Sequence, residues 1–168
     1  DMRRADVYAW AGEQGFSEDE LAWIQPGYPP SIPWYTLGNG TDGPVTELLR
    51  LDNGDLIVAG DFLVAGGAFT THVARWNGTN YAALGEGVQG NVTTAIEFDG
   101  DIYLGGTFSS GQADLARWTG SAWVYTAVFA SKYAYVSELH VHGGVLHAAG
   151  SMTGFTGTSY GVKRLVNG

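Results

Sequence analysis

The stretch V92-T-T-A-I-E-F-D-G-D-I-Y-L-G-G-T-F108 decides the reading of this chain. Two runs of alternating β-branched and aromatic residues flank Asp99-Gly100, a dipeptide that accepts the positive φ of a tight hairpin turn. The same arrangement occurs twice more. Val45–Phe62 reads VTELLRLDNGDLIVAGDF, and Val136–Met152 reads VSELHVHGGVLHAAGSM. Hairpin turns are therefore expected at Asn53-Gly54, Asp99-Gly100 and Gly143-Gly144.

Each hairpin runs into a small pair, Ala59-Gly60, Gly105-Gly106 or Ala149-Gly150. The expected reason is room, because large side chains on inner strands would collide near a central axis. A variable loop follows, then a third strand: HVARW, DLARW and GVKRL. A fourth strand follows in two units, as NYAALG and AWVYTA. Four short antiparallel strands in a period of roughly 40–50 residues is the pattern of a propeller blade. Apolar residues on both parities of the strands fit blades that are packed on both faces.

The fold class expected is therefore all-β, with three repeats of propeller-type four-stranded blades and a short helical N-terminal arm. The units span 45–88, 92–129 and 136–168 within a repeat domain of residues 33–168. Residues 1–32 form the arm. Ser17 and Glu20 make a capping box ahead of Leu21 and Ile24, Pro26 stops that run, and Pro29, Pro30 and Pro33 hold an extended spacer. The third unit lacks a fourth strand. Trp34, Tyr35, Thr36, Leu37 and Gly38 read like one, so this strand is expected to complete a blade beside Val162–Val166, most readily on another chain. Three blades fall short of the four or more that propellers use. Two chains making a six-bladed ring, a longer array of which this chain is a piece, and an open stack all remain in play.

Composition narrows the function. The chain has 168 residues, 26 glycines, no cysteine, 13% aromatic and 15% charged residues, and a net charge of −9. That charge repels a phosphate backbone and an anionic lipid surface, so neither nucleic acid nor membrane is an expected partner. No apolar run reaches transmembrane length and no signal peptide is present. The chain opens on Asp1, which reads as processing or as a piece of something longer. Without cysteine there is no disulfide scaffold, thiolate nucleophile or zinc–cysteine site.

The segments DLIVAGDF…VARWNGTNYAALGEGVQGNV and DIYLGGTF…LARWTGSAWVYTAV resemble the kelch-like propeller repeats of bacterial secreted and cell-surface proteins. They are also similar to repeats of fungal cortical-marker proteins. The resemblance covers residues 33–168. The second unit departs from it by losing the Leu-Gly ending, and the third by carrying Leu165 where the others have Trp. The resemblance implies an extracellular, cell-surface or virion propeller for binding or display, and no particular chemistry.

Candidate sites are few. His140, His142 and His147 are expected on one face of a hairpin, where imidazoles within reach of one another could hold zinc or copper. The plainer reading puts them at a blade–blade contact, in places held elsewhere by Arg50, Glu97, Ile57 and Tyr103. No carboxylate stands in register with them, and no metal or other cofactor is expected. Asp52, Asp55, Asp99 and Asp101 surround turns and could attract calcium, but Asp is itself a turn former. Trp34, Trp76 and Trp118 repeat with the fold and are expected in the core. Trp123, Tyr125, Phe129, Tyr133 and Tyr135 form an aromatic stretch that could meet a glycan or a partner, the plainer reading being an altered loop packed inside its own domain. Asn39, Asn77 and Asn91 match the N-glycosylation pattern, as turn-rich chains often do by chance. No nucleophile–base pattern appears. The expected role is a non-enzymatic structural or assembly module, a homo-oligomer or part of a larger assembly, joined by strand complementation. A glycan-binding propeller is the alternative.

Overall fold

A computed structural model describes residues 35–109, 113–129, 134–154 and 157–165. The chain divides into two compact units, Asp1–Tyr35 and Thr36–Gly168, and the description below concerns the second. The expected arm over residues 1–32, along with Trp34, Tyr133 and Val166, lies outside the described residues.

The described fold is all-β and antiparallel. Sheet 1 contains β1 (Val45–Arg50), β2 (Leu56–Gly60), β5 (Val73–Trp76) and β6 (Tyr81–Ala83), in that order. Sheet 2 contains β7 (Gly90–Phe98), β8 (Asp101–Phe108), β9 (Leu115–Trp118) and β10 (Trp123–Thr126), again in chain order. Sheet 3 contains β11 (Tyr135–His142), β12 (Val145–Gly154) and β13 (Gly157–Arg164). Two sheets thus have four strands and the third has three. The variable loop after β2 folds into a small hairpin of β3 (Val64–Ala65) and β4 (Ala68–Phe69).

All three expected hairpins form. Asp99 and Gly100 have φ of 51° and 80°, and Gly143 and Gly144 have 58° and 74°. Positive φ at both central residues matches the twist of the flanking strands. The Asn53-Gly54 turn is wider, closed by Leu51 N–H donating to the Asp55 carbonyl at 2.8 Å and by Gly54 N–H donating to the Leu51 carbonyl.

The sheets pack in chain order, so each has a rear face toward the sheet before it and a front face toward the sheet after. One cluster joins the front of sheet 1 (Ile57, Ala59, Val73) to the rear of sheet 2 (Ile102, Leu104, Ala116). A second joins the front of sheet 2 (Tyr103, Leu115) to the rear of sheet 3 (Leu139, Leu146, Ala148). Val58, Ala74 and Phe62 form a third cluster on the rear of sheet 1. Neighbouring residues on one strand, such as Ile57 and Val58, therefore enter different cores. This is why the strands are apolar on both parities.

A second device links the sheets. Each inner strand carries a bulge at the same place, between Val45 and Glu47, Val92 and Thr94, and Val136 and Glu138. The extra residue is Thr46, Thr93 or Ser137. Its hydroxyl oxygen lies beside a carbonyl of its own sheet, that of Ala59 (3.4 Å), Gly105 (3.1 Å) or Ala149 (3.2 Å). The threonine hydroxyls also reach the next sheet, Thr46 to the Val92 carbonyl at 2.7 Å and Thr93 to the Val136 carbonyl at 2.5 Å. Thr93→Val keeps the shape and removes the donor. It is expected to cost about 1–2 kcal/mol, since a net hydrogen bond contributes roughly 1 kcal/mol. An unchanged urea midpoint would show that this link contributes nothing.

The small pairs have two separate causes. A Cβ on Gly105 would lie 2.5 Å from the Val136 side chain of the next sheet and 2.7 Å from that of Thr94 in its own, so side-chain packing between sheets, and not an axis, crowds this position. The second position is different. A Cβ on Gly60, Gly106 or Gly150 would meet the carbonyl oxygen of Pro44, Asn91 or Tyr135 at 2.2, 2.0 or 2.1 Å. That carbonyl belongs to the chain entering the same sheet's inner strand, beside the bulge. Crowding at an axis does not explain these glycines. The bulge does, by pressing one backbone against the other.

Candidate functional site: the segment ahead of sheet 1

Tyr35 to Gly38 form no strand in the single chain: Leu37 to Asn39 make a turn. Its geometry duplicates one further along. Gly40 N–H donates to the Leu37 carbonyl at 3.0 Å, and Gly87 N–H donates to the Leu84 carbonyl at 3.1 Å. Gly38 and Gly40 have φ of 53° and 69°, and Gly85 and Gly87 have 59° and 74°. A Cβ on Gly38 would sit 3.3 Å from the Trp76 ring, and one on Gly85 would sit 3.0 Å from the Trp118 ring. Leu84-Gly85 directly follows β6, the outer strand of sheet 1, and seats on the tryptophan of sheet 2. Leu37-Gly38 seats on the tryptophan of sheet 1 in the same way.

The segment is held from below. The Asp42 carboxylate accepts the amides of Leu63 and Val64 at 2.9 and 2.8 Å, and Gly66 N–H donates to the Gly40 carbonyl. The Val64 amide, followed by that of Leu63, holds the Asp42 carboxyl below the usual carboxylate range, although burial opposes this. A depressed carboxylate stabilises the fold above its unfolded pKa, and that contribution fades as acid protonates it.

The histidines are arranged in register as expected. His140 pairs with His147, and His142 pairs with Val145. The corresponding pairs in sheet 2 are Ile96 with Tyr103 and Phe98 with Asp101. His140 and His142 therefore stand in the places of Ile96 and Phe98. Glu97 and Arg50, expected as their counterparts, correspond to Val141. The rings of His142 and His147 lie 6.3 Å apart, edge to face, and His147 Nδ1 is 2.9 Å from the Val145 carbonyl. Among the described residues, no three His, Cys, Asp or Glu side chains converge as a metal site.

Two of the turn aspartates have carboxylates engaged by arginines. Asp55 pairs with Arg75, and Asp101 with Arg117 at 3.2 Å, at equivalent positions of sheets 1 and 2. Asp52 lends its amide to Glu97 at 2.8 Å, another link between these sheets. Asn77 caps its own turn by accepting the amides of Thr79 and Asn80.

Among the described residues, the aromatic stretch does not form an exposed platform. Phe129 is a core residue of the second cluster, packed on Gly150, and is out of a ligand's reach. Trp123 packs against Trp118 and donates its indole N–H to the Leu84 carbonyl at 2.9 Å. Tyr125 meets Phe108 edge-on at 5.8 Å, and burial pushes its phenol up. Trp76 and Trp118 pack as partly buried core residues, as their recurrence suggests. Tyr135 alone of the described members of the stretch is exposed.

One functional side chain escaped the sequence reading. Asp114 is fully buried and its two oxygens accept the amides of Val128 and Phe129, at 2.8 Å for the latter. It replaces, in the link from sheet 2 to sheet 3, the Leu-Gly-x-Gly turn that links sheet 1 to sheet 2. The only sequence signal was the loss of that turn after AWVYTA, with an acid just ahead of LARW. Lys163 closes the same link, donating to the Val128 carbonyl at 2.6 Å with its ammonium 5.4 Å from the centre of the Phe129 ring.

No protein-family model matches the chain, and no curated protein or solved structure matches it.

Proposed function

We propose that this chain is a non-enzymatic structural module, a three-bladed segment of a β-propeller. In this reading it assembles by lending Trp34–Gly38 to another chain as the fourth strand beside β13. The kelch-like resemblance adds an extracellular or virion-associated assembly as the setting. The observation that carries the proposal is the duplicated turn. Leu84-Gly85 marks the end of an outer strand lying before sheet 2, and Leu37-Gly38 stands in the same relation to sheet 1. Trp34, Tyr35 and Thr36 then hold the register of an outer strand belonging to a sheet that precedes sheet 1. Sheet 3 is the sheet with a place for such a strand, because β13 is its edge. An edge strand offers main-chain donors and acceptors, which give strand addition its affinity while alternating side chains give it specificity.

The test substitutes Pro at both Tyr35 and Thr36 in the full chain. Proline has no amide hydrogen, so the pair removes the ladder donor whichever parity faces β13. Both residues are exposed in the isolated chain, and circular dichroism should not change. Light scattering is expected to show assembly of the unmodified protein and its loss in the variant. A variant that assembles normally defeats the proposal.

A further inference from the structure

Beside the buried Val58 and Ala74 on the rear of sheet 1, each end face of the stack carries in exposed form one apolar position that is buried at an internal junction. Leu48 lies on the rear of sheet 1, paired with Val58, and is 57% exposed. Its counterpart on the rear of sheet 3 is Leu139, paired with Ala148 and only 3% exposed under sheet 2. Val162 lies on the front of sheet 3, paired with Ala149, and is 69% exposed. Its counterparts on the fronts of sheets 1 and 2 are Val73 and Leu115, at 0% and 7%. The hydrogen bonds follow the same rule. Thr46 and Thr93 each donate to the carbonyl of the valine that opens the next inner strand. Ser137 occupies their place on the front of sheet 3, and the carbonyl equivalent to those of Val92 and Val136 belongs to Val45, on sheet 1.

We infer that the rear of sheet 1 seats on the front of sheet 3 of a second copy of this chain, and that two copies close a ring of six sheets. The inference rests on the assembly role proposed above and names its partner and its surface. The internal junctions are the template. At the junction between copies, Leu48 fills the role of Leu139, Val162 that of Leu115, and Ser137 donates to the Val45 carbonyl as Thr93 does to that of Val136. One patch meets a different patch, so the contact repeats until the turn closes. Three sheets fall below the range of about four to eight at which propellers close, and six fall within it. The lent strand fits the same junction, because Leu37-Gly38 already lies on the rear of sheet 1, where sheet 3 of the second copy would arrive. His140, His142 and His147 make this seat more polar than the Ile96, Phe98 and Tyr103 seat inside the chain, so the junction between copies is the weaker one and separates first.

The test uses the full chain and light scattering across a concentration series. The unmodified protein is expected at the mass of two chains. Leu48→Arg and Val162→Arg each place a charge at the junction, and each is expected to give a monomer. Both side chains are exposed in the isolated chain, so the fold should survive, as circular dichroism can check. Ser137→Ala is expected to weaken dimerisation about 25-fold to 100-fold, because the closed ring has two such junctions and each loses one net hydrogen bond. A monomeric or filamentous unmodified protein, or a dimer that survives either arginine, would overturn the inference. The proline variant separates the two ideas. If it dimerises while the arginine variants do not, the faces dock without a lent strand. If it is monomeric while they dimerise, strand lending stands and this docking falls.

Discussion

Asp114→Ala is expected to lower stability by about 3–5 kcal/mol, because each buried donor stranded without an acceptor costs roughly 1–3 kcal/mol and two are stranded here. The side chain is fully buried and both oxygens are committed, to the amides of Val128 and Phe129. Those amides begin the link that brings Phe129 into the second cluster. The damage should be local first. Sheet 3 packs on sheet 2 through that cluster, so hydrogen exchange should lose protection in β11 and β12 before β1 and β2. Asp114→Asn keeps one acceptor oxygen and should recover part of the loss. A urea midpoint for the alanine variant equal to that of the unmodified chain would contradict this account.

Gly106→Ala is expected to cost about 3 kcal/mol, at the upper end of overpacking, because the obstacle is a backbone carbonyl rather than a side chain that can turn away. The new methyl carbon would stand 2.0 Å from the Asn91 oxygen. Relief requires opening the β7–β8 ladder at its bulge, in the middle sheet, which both neighbours pack against. Gly161→Ala is the control. It also lies inside a strand, but a Cβ there meets nothing within 4 Å and its φ is not in the left-handed region. That change should be neutral or slightly stabilising, since alanine narrows the unfolded ensemble. Equal effects at the two positions would mean that strand glycines here act through propensity and not through the bulge.

Much of this architecture was legible because it rests on local chemistry repeated three times. The turn residues Asn53-Gly54, Asp99-Gly100 and Gly143-Gly144 are hairpin formers wherever they occur, and alternation across them sets which residues pair. His140 opposite His147 could be read that way, from counting residues out from the turn. The copy of Leu84-Gly85 at Leu37-Gly38 was also visible, since glycine in the left-handed region leaves a sequence trace. What each small pair was for could not be read. Gly105 and Gly106 look alike in sequence, yet one is limited by a valine from the next sheet and the other by a carbonyl of its own sheet. The extended aromatic stretch was ambiguous in the same way. Phe129 and Tyr125 are as apolar in a loop as in a core, and only packing against Gly150 and Phe108 decides which.

By itself the sequence determined the paired strands on either side of the three hairpin turns, those turns, and the residues that stand opposite one another across them. These follow from φ preferences and a two-residue period that neighbours in the chain impose on one another. The tertiary structure alone decided which sheet each side chain faces, that the hydroxyls of Thr46 and Thr93 tie one sheet to the next, and that Asp114 is a buried pin. Those outcomes join residues some 15 to 46 positions apart, and depend on where a bulge turns a hydroxyl and how closely two backbones approach. No local propensity encodes such distances; only the packed sheets fix them.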